Sequence, residues 1–117
     1  MPDQSQTMPT VEFDIKNKRL ALQSILERIL GTKNVYFQPP YNLKLSYPCI
    51  IYNRVGARQI KADNRTYNFL TQYEVDYVTM DPDEFIFKDL ASALTYCTFN
   101  RHYVMDRLHH NVYTVYI

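Results

Sequence analysis

The chain has 117 residues, of which 13 are basic and 12 acidic, so its formal net charge is +1 at neutral pH. A chain of this length forms one domain, because two smaller domains would each have too small a core. The balance of charges argues against a protein whose main task is to neutralise nucleic-acid phosphates, and two glycines are too few for a glycine-rich phosphate loop.

We predict two parts in the chain. Residues 1–15 form a polar N-terminal arm, and residues 16–117 form a single α+β domain. The arm contains two prolines and too few apolar side chains to fold by itself. We expect Asp14 or Asn17 to cap the first helix and Gly31 to end it. Its apolar stripe repeats at i, i+3, i+4, i+7 and i+8 through Leu22, Ile25, Leu26, Ile29 and Leu30.

Three strands are predicted after this helix. Val35–Gln38 is short, because Pro39 and Pro40 cannot donate to a ladder. Cys49–Val55 is apolar and β-branched, whereas Tyr67–Met80 alternates between apolar and polar side chains, as in a sheet with one face solvated or turned to a partner. The second and third strands are expected to form a long hairpin.

The connection between these two strands, GARQIKADNRTYN, is polar and basic. With the end of the preceding strand it carries four basic residues within twelve positions: Arg54, Arg58, Lys61 and Arg65. One interpretation is a solvated hairpin tip, and the other is a loop that contacts a partner protein or DNA. These four residues are the candidate contact residues, although no aromatic pattern typical of base stacking accompanies them.

A second helix is predicted from DPDEF to about Leu94. Asp81 suits the N-cap, Pro82 the first helical position and Glu84 the third. The carboxylates, including Asp83, are explained by the positive end of the helix dipole and require no metal ion.

The closing stretch, RHYVMDRLHHNVYTVYI, predicts a hairpin of strands Phe99–Met105 and His110–Ile117. Asp106 and Asn111 are expected to form its turn. All three histidines of the chain, His102, His109 and His110, lie in this stretch.

A metal or catalytic centre would need His102, Asp106 and His109 to converge across this hairpin. Neighbouring side chains on a strand face opposite ways, so His109 and His110 cannot both bind one ion, and the spacing matches no zinc motif. We interpret the histidines as turn residues that stack or form hydrogen bonds, and Cys49 and Cys97 as core residues. No catalytic, cofactor-binding or metal-binding residue is therefore assigned, and no cofactor is expected.

The predicted elements follow the order helix, strand, strand, long loop, strand, helix, strand, strand. This order indicates an α+β fold. We expect a mostly antiparallel sheet of four to five strands, two helices packed on one face, and a long basic hairpin loop.

Several segments together resemble the tail-terminator or tail-completion proteins of the neck of tailed bacteriophages. They are LQSILERILGTKNVYFQPP, YPCIIYNR, YEVDYVTMDPD and YCTFNRHYVMDRLHHNVYTVYI. The resemblance covers about residues 18–117 and lies in the pattern of segments, without a short diagnostic motif. The order of helices and strands is also that of the family.

The resemblance implies a structural virion protein rather than an enzyme. Such proteins form a ring, typically a hexamer, on the head-proximal end of the tail tube, stop its polymerisation and join the tail to the head connector. The implied partners are further copies of the chain, the tail tube protein, the connector protein and, non-specifically, DNA in the lumen. The resemblance also implies that the protein assembles in the bacterial cytoplasm, remains in the virion and has no membrane partner. Eleven tyrosines suit the interfaces of a ring subunit.

Two alternatives stay open at this point. One is another phage neck component, such as a head-completion or connector protein. The other is a small metal-dependent hydrolase that uses His102, Asp106 and His109.

Overall fold

The computed structural model describes residues 10–62 and 65–117, with the backbone alone at 10–14, 60–62 and 65–68. The described part contains two helices and five strands: α1 (Thr10–Leu30), β1 (Val35–Phe37), β2 (Cys49–Ala62), β3 (Arg65–Thr79), α2 (Phe87–Ala93), β4 (Tyr96–Met105) and β5 (Leu108–Tyr116). The sheet has the order β1-β2-β3-β5-β4, and only β1 and β2 run parallel. The predicted α+β fold with a mostly antiparallel sheet is confirmed.

Helix α1 begins earlier than the sequence pattern indicated. Asp14 and Asn17 lie inside it, so the prediction that one of them caps the helix is wrong, and residues 10–15 of the predicted arm are helical. Residues 1–9 of that arm lie outside the described residues. Gly31 ends the helix as predicted, because its φ of +82° suits glycine and its N–H donates to the Glu27 carbonyl at 2.8 Å.

The core lies between one face of the sheet and both helices. Leu22 and Leu26 from α1 and Leu90 from α2 are fully buried against it. Four tyrosines of the sheet are also fully buried: Tyr52, Tyr73, Tyr77 and Tyr113. Their rings provide much of the apolar area of this face. Tyrosine is therefore a core residue here, in addition to any role that it has at an interface. Cys49 is buried and Cys97 packs against the core, as predicted.

Strands β2 and β3 pair from Cys49 opposite Val78 to Ala62 opposite Arg65. The polar loop predicted between Val55 and Tyr67 is therefore wrong, because residues 56–62, 65 and 66 are strand. Residues 63 and 64 lie outside the described part of the chain. Polar strands are poorly marked in a sequence because their composition resembles that of a loop.

The outer half of this hairpin extends beyond the sheet. Strand β3 pairs with β5 only from Gln72 onward, so residues 57–62 and 65–70, called the ribbon below, pair with no third strand in the described part of the chain. The described part of the chain measures 58 × 32 × 24 Å, and its radius of gyration is 16.6 Å. A compact domain of this length would have a radius of about 13 Å.

The segment before α2 forms a turn instead of the predicted helix start. Asp81 Oδ1 accepts the N–H of Asp83 at 3.0 Å, and the Thr79 hydroxyl donates to Glu84 Oε2 at 3.1 Å. Ile86 enters the core with 7% of its surface exposed, and the helix begins only at the next residue. Burial of Ile86 and the bond to Thr79 override the local helix signal.

The closing hairpin turns at Asp106 and Arg107, whose φ angles are +53° and +66°. Two positive φ angles in a two-residue loop are typical of a type I′ turn. The prediction that Asn111 forms the turn is wrong, because Asn111 lies in β5 with 5% exposure. Strand β4 also begins at Tyr96, three residues before the predicted start.

A buried and an exposed leucine on α1 together test where the core lies. We expect Leu26→Ala to lower the free energy of unfolding by about 3 kcal/mol, because a fully buried leucine leaves a cavity. Leu20→Ala, at a position 45% exposed on the same helix, should change it by less than about 1 kcal/mol. Urea denaturation followed by circular dichroism measures both, and equal losses would contradict this placement of the core.

Candidate interaction surfaces

The four candidate basic residues do not form one patch. Arg54 pairs with Tyr73 and Arg58 with Leu70, and these two partners lie on opposite faces of β3. The cause is a bulge at Val55, which leaves that residue without a partner and reverses the alternation of side chains along β2.

Lys61 and Arg65 lie near the outer end of the ribbon. Their backbones pair with Thr66 and Ala62, and their side chains are outside the described part. The ribbon therefore carries Arg58 on the face away from α1, and the side-chain grouping of the other two stays a prediction.

Arg54 instead faces α1 and lines a cleft with Lys16 and Arg19. This basic cleft, completed by Phe37 and Gln38, has a volume of about 180 Å³. The Arg19 guanidinium carbon lies 4.4 Å from the centre of the Phe37 ring, a cation–π distance. Gln38 Oε1 accepts the backbone N–H of Arg54 at 3.1 Å, which fixes the Gln38 amide at the cleft.

Sequence reasoning missed Lys16 and Arg19 as partners of Arg54. The available signal was their i, i+3 spacing beside the apolar stripe of α1, which puts both on one side of the helix. Their approach to Arg54 depends on α1 beginning before Lys16 and on the packing of α1 against β1, neither of which the spacing predicts.

The sheet face opposite the helices carries a polar and aromatic cluster, called the open face. Its five members come from β3, β4 and β5: Glu74, Asp76, Arg101, Tyr103 and His110. His110 Nδ1 lies 2.8 Å from Asp76 Oδ2, and the Tyr103 ring stacks parallel to His110 at 4.5 Å between centres. Arg101 Nη2 lies 3.4 Å from Glu74 Oε1. Charged and aromatic groups thus lie together on the face of the sheet opposite the helices.

Asp76 is a largely buried carboxyl group on the open face. Burial raises the pKa of its carboxyl group above the ordinary value of 3.8, and the neighbouring His110 opposes that rise only in part. Its second oxygen, Oδ1, is buried without a hydrogen-bond partner among the described residues. The ionised form of Asp76 therefore carries a desolvation cost in the folded protein.

The histidines divide between the two faces of the sheet. His102 Nε2 lies 3.2 Å from His109 Nδ1 on the helix side, and His110 belongs to the open face. Asp106 lies in the turn, so the structure brings together two of the three residues proposed for a metal centre. Within residues 10–62 and 65–117 no three His, Cys, Asp or Glu side chains are close enough to hold a metal ion.

Comparison with known proteins gives no family: no family model matches the chain, and no curated protein matches its sequence. Neither helix in the described part combines the length and the apolar character needed to cross a membrane.

The raised pKa of Asp76 predicts a pH-dependent stability. A carboxyl group whose pKa is higher in the folded state stabilises the fold below its unfolded pKa, and this contribution disappears as the pH rises through the folded pKa. We expect wild type to lose stability relative to Asp76→Asn as the pH rises above 3.8.

Urea melts at a series of pH values measure the difference between the two proteins. Glu74→Gln removes a more exposed carboxylate from the same strand and face, and is the matched control. If the stability of Asp76→Asn parallels that of wild type at every pH, burial of Asp76 does not raise its pKa.

Proposed function

We propose that this protein is a tail terminator of a tailed bacteriophage. Copies of the chain form a ring, expected to be a hexamer, on the head-proximal end of the tail tube. The ring stops polymerisation of the tube protein, presents a surface to the head connector and lets DNA pass through its lumen. The role is structural and without catalysis, in a protein that assembles in the host cytoplasm and remains in the virion.

The observation that carries this proposal is the ribbon. A two-stranded hairpin without a third strand is marginally stable in water, and here the exposed residues Arg58 and Gln59 lie in it. Contact with a neighbouring subunit would supply the further strand pairing that the described part of the chain does not give the ribbon. Such a projecting element suits a subunit that assembles with others.

The open face supports the proposal as a second contact surface. Arginine and tyrosine are enriched in protein interfaces, and Arg101 and Tyr103 lie together there, with the guanidinium carbon 5.7 Å from the ring centre. A ring is built from heterologous contacts, in which two different surfaces of each subunit meet. The ribbon and the open face are two such surfaces on one chain.

The first test is the oligomeric state of the full chain. Native mass spectrometry over a concentration series, followed by electron microscopy of any large species, should show a closed ring whose formation does not require a divalent metal. A subunit that stays monomeric alone should form the ring when purified tail tubes are added. Absence of a ring in both experiments would contradict the proposal.

Purified phage particles separate the terminator from its neighbours. A terminator should copurify with tails that lack heads and lie at the head-proximal end of the tube. A head-completion or connector protein would instead copurify with heads, and that result would move the protein to the other side of the neck.

The ribbon is tested in the phage by charge reversal at Arg58, Lys61 and Arg65. We expect tails of abnormal length or tails that fail to join heads, because the changes alter the surface proposed to meet another component. The matched control replaces His102, Asp106 and His109 by alanine. This control should leave joining intact once its folding is verified, whereas a metal-dependent hydrolase would lose its activity. Normal tail length and yield after charge reversal would exclude the ribbon as a contact surface.

A further inference from the structure

The basic cleft brings together three positive charges, on Lys16, Arg19 and Arg54. Among the side chains that the structure describes, no carboxylate lies within ion-pair distance of Lys16, Arg19 or Arg54. The ion pairs in the described part belong to the open face, on the other side of the sheet. Three like charges that line one cleft repel one another, and an anion bound between them removes that repulsion.

The buried hydroxyl of Tyr73 lies near two guanidinium groups of the cleft, although Tyr73 is not one of the residues that line it. Tyr73 is fully buried, lies opposite Arg54 in the sheet, and has no hydrogen-bond partner for its hydroxyl among the described residues. Burial raises the pKa of Tyr73, while the nearby guanidinium groups of Arg54 and Arg19 act to lower it. The hydroxyls of Tyr77 and Tyr113 also lack a partner there, but Tyr73 is the one beside two guanidinium groups. An unpaired buried hydroxyl is unfavourable, and a bound anion would accept its hydrogen.

The cleft is also preorganised. Arg19 lies over the Phe37 ring, and this contact restricts the positions that its guanidinium can take. Gln38 uses its side-chain oxygen to accept from Arg54, which leaves its amide N–H groups available as donors. Guanidinium groups match the geometry of phosphate oxygens, and three cations suit a dianion better than a single carboxylate.

We propose that the basic cleft binds a dianionic phosphate group through Lys16, Arg19, Arg54 and the hydroxyl of Tyr73. The group is either inorganic phosphate or the terminal phosphate monoester of a nucleic-acid strand, since both present the same oxygens. The cleft is complete within one subunit, so its ligand does not depend on ring formation.

Isothermal titration of the full chain with inorganic phosphate, in a phosphate-free buffer, tests the site. We expect saturable binding, and a loss of about tenfold or more in affinity for Arg54→Gln, because a charged hydrogen-bond donor is removed. The matched control is Arg28→Gln, an exposed arginine in the last turn of α1 that does not line the cleft, which should bind as wild type does. No saturable binding by wild type, or equal losses in the two variants, would overturn the proposal.

Tyr73→Phe removes the hydroxyl and keeps the ring. The affinity for phosphate should fall several-fold, while the melting temperature in phosphate-free buffer stays the same or rises, because the variant no longer buries an unpaired hydroxyl. A lower melting temperature with unchanged affinity would show that the hydroxyl serves the fold and not the ligand.

Matched oligonucleotides with and without a 5′-phosphate distinguish the two sources of the group. Tighter binding of the phosphorylated strand, lost in Arg54→Gln, identifies a nucleic-acid end as the ligand. Binding of inorganic phosphate without that preference identifies the free ion. Equal binding of both strands by wild type and Arg54→Gln, with no binding of inorganic phosphate, would overturn the proposal and leave only non-specific attraction.

Discussion

The bulge at Val55 is the constraint on which the arrangement of charged surfaces depends. One extra residue in β2 places Arg54 and Gly56 opposite neighbouring residues of β3, so the alternation of side chains reverses at this point. Before the bulge, β2 sends Ile50 and Tyr52 into the core and Arg54 toward α1. Beyond it, Arg58 faces away from α1. A regular strand would have put both arginines on the same face.

The bulge also explains which parts of this region could be predicted. The basic character of residues 54–65 is visible in the sequence, and so is the hairpin, because two alternating strands flank a polar stretch. The faces are not visible, since a one-residue insertion in a strand leaves no periodic signal and reverses every position after it. Gly56 gives a weak hint, because a Cβ there would lie 3.2 Å from Gln72 Oε1, but glycine marks many kinds of irregularity.

The apolar stripe of α1 was predictable because periodicity and burial agree: Leu22 and Leu26 are the two positions that reach the centre of the core. The start of α2 was not, although DPDEF is a strong local signal. Asp81 does accept a backbone N–H two residues on, as an N-cap would, but the chain then extends so that Ile86 can be buried. Local capping chemistry and tertiary burial compete here, and burial of a large apolar side chain has the larger free energy.

The early start of α1 brings the first turns of this helix to the base of the ribbon. Ordering a residue of the ribbon costs roughly 1–2 kcal/mol of backbone entropy, and the ribbon has no third strand to offset it in the described chain. The first turns of α1 pass over its base, where Ile15 lies across from Ala57 and Thr71 around a cleft of about 540 Å³. Helix α1 therefore reaches the base of the ribbon, while no strand of the described chain pairs with the ribbon as a third strand. In the proposed ring, contact with a neighbouring subunit would offset the backbone entropy lost when the ribbon is ordered. Assembly would then stabilise the part of the hairpin that lies beyond the sheet.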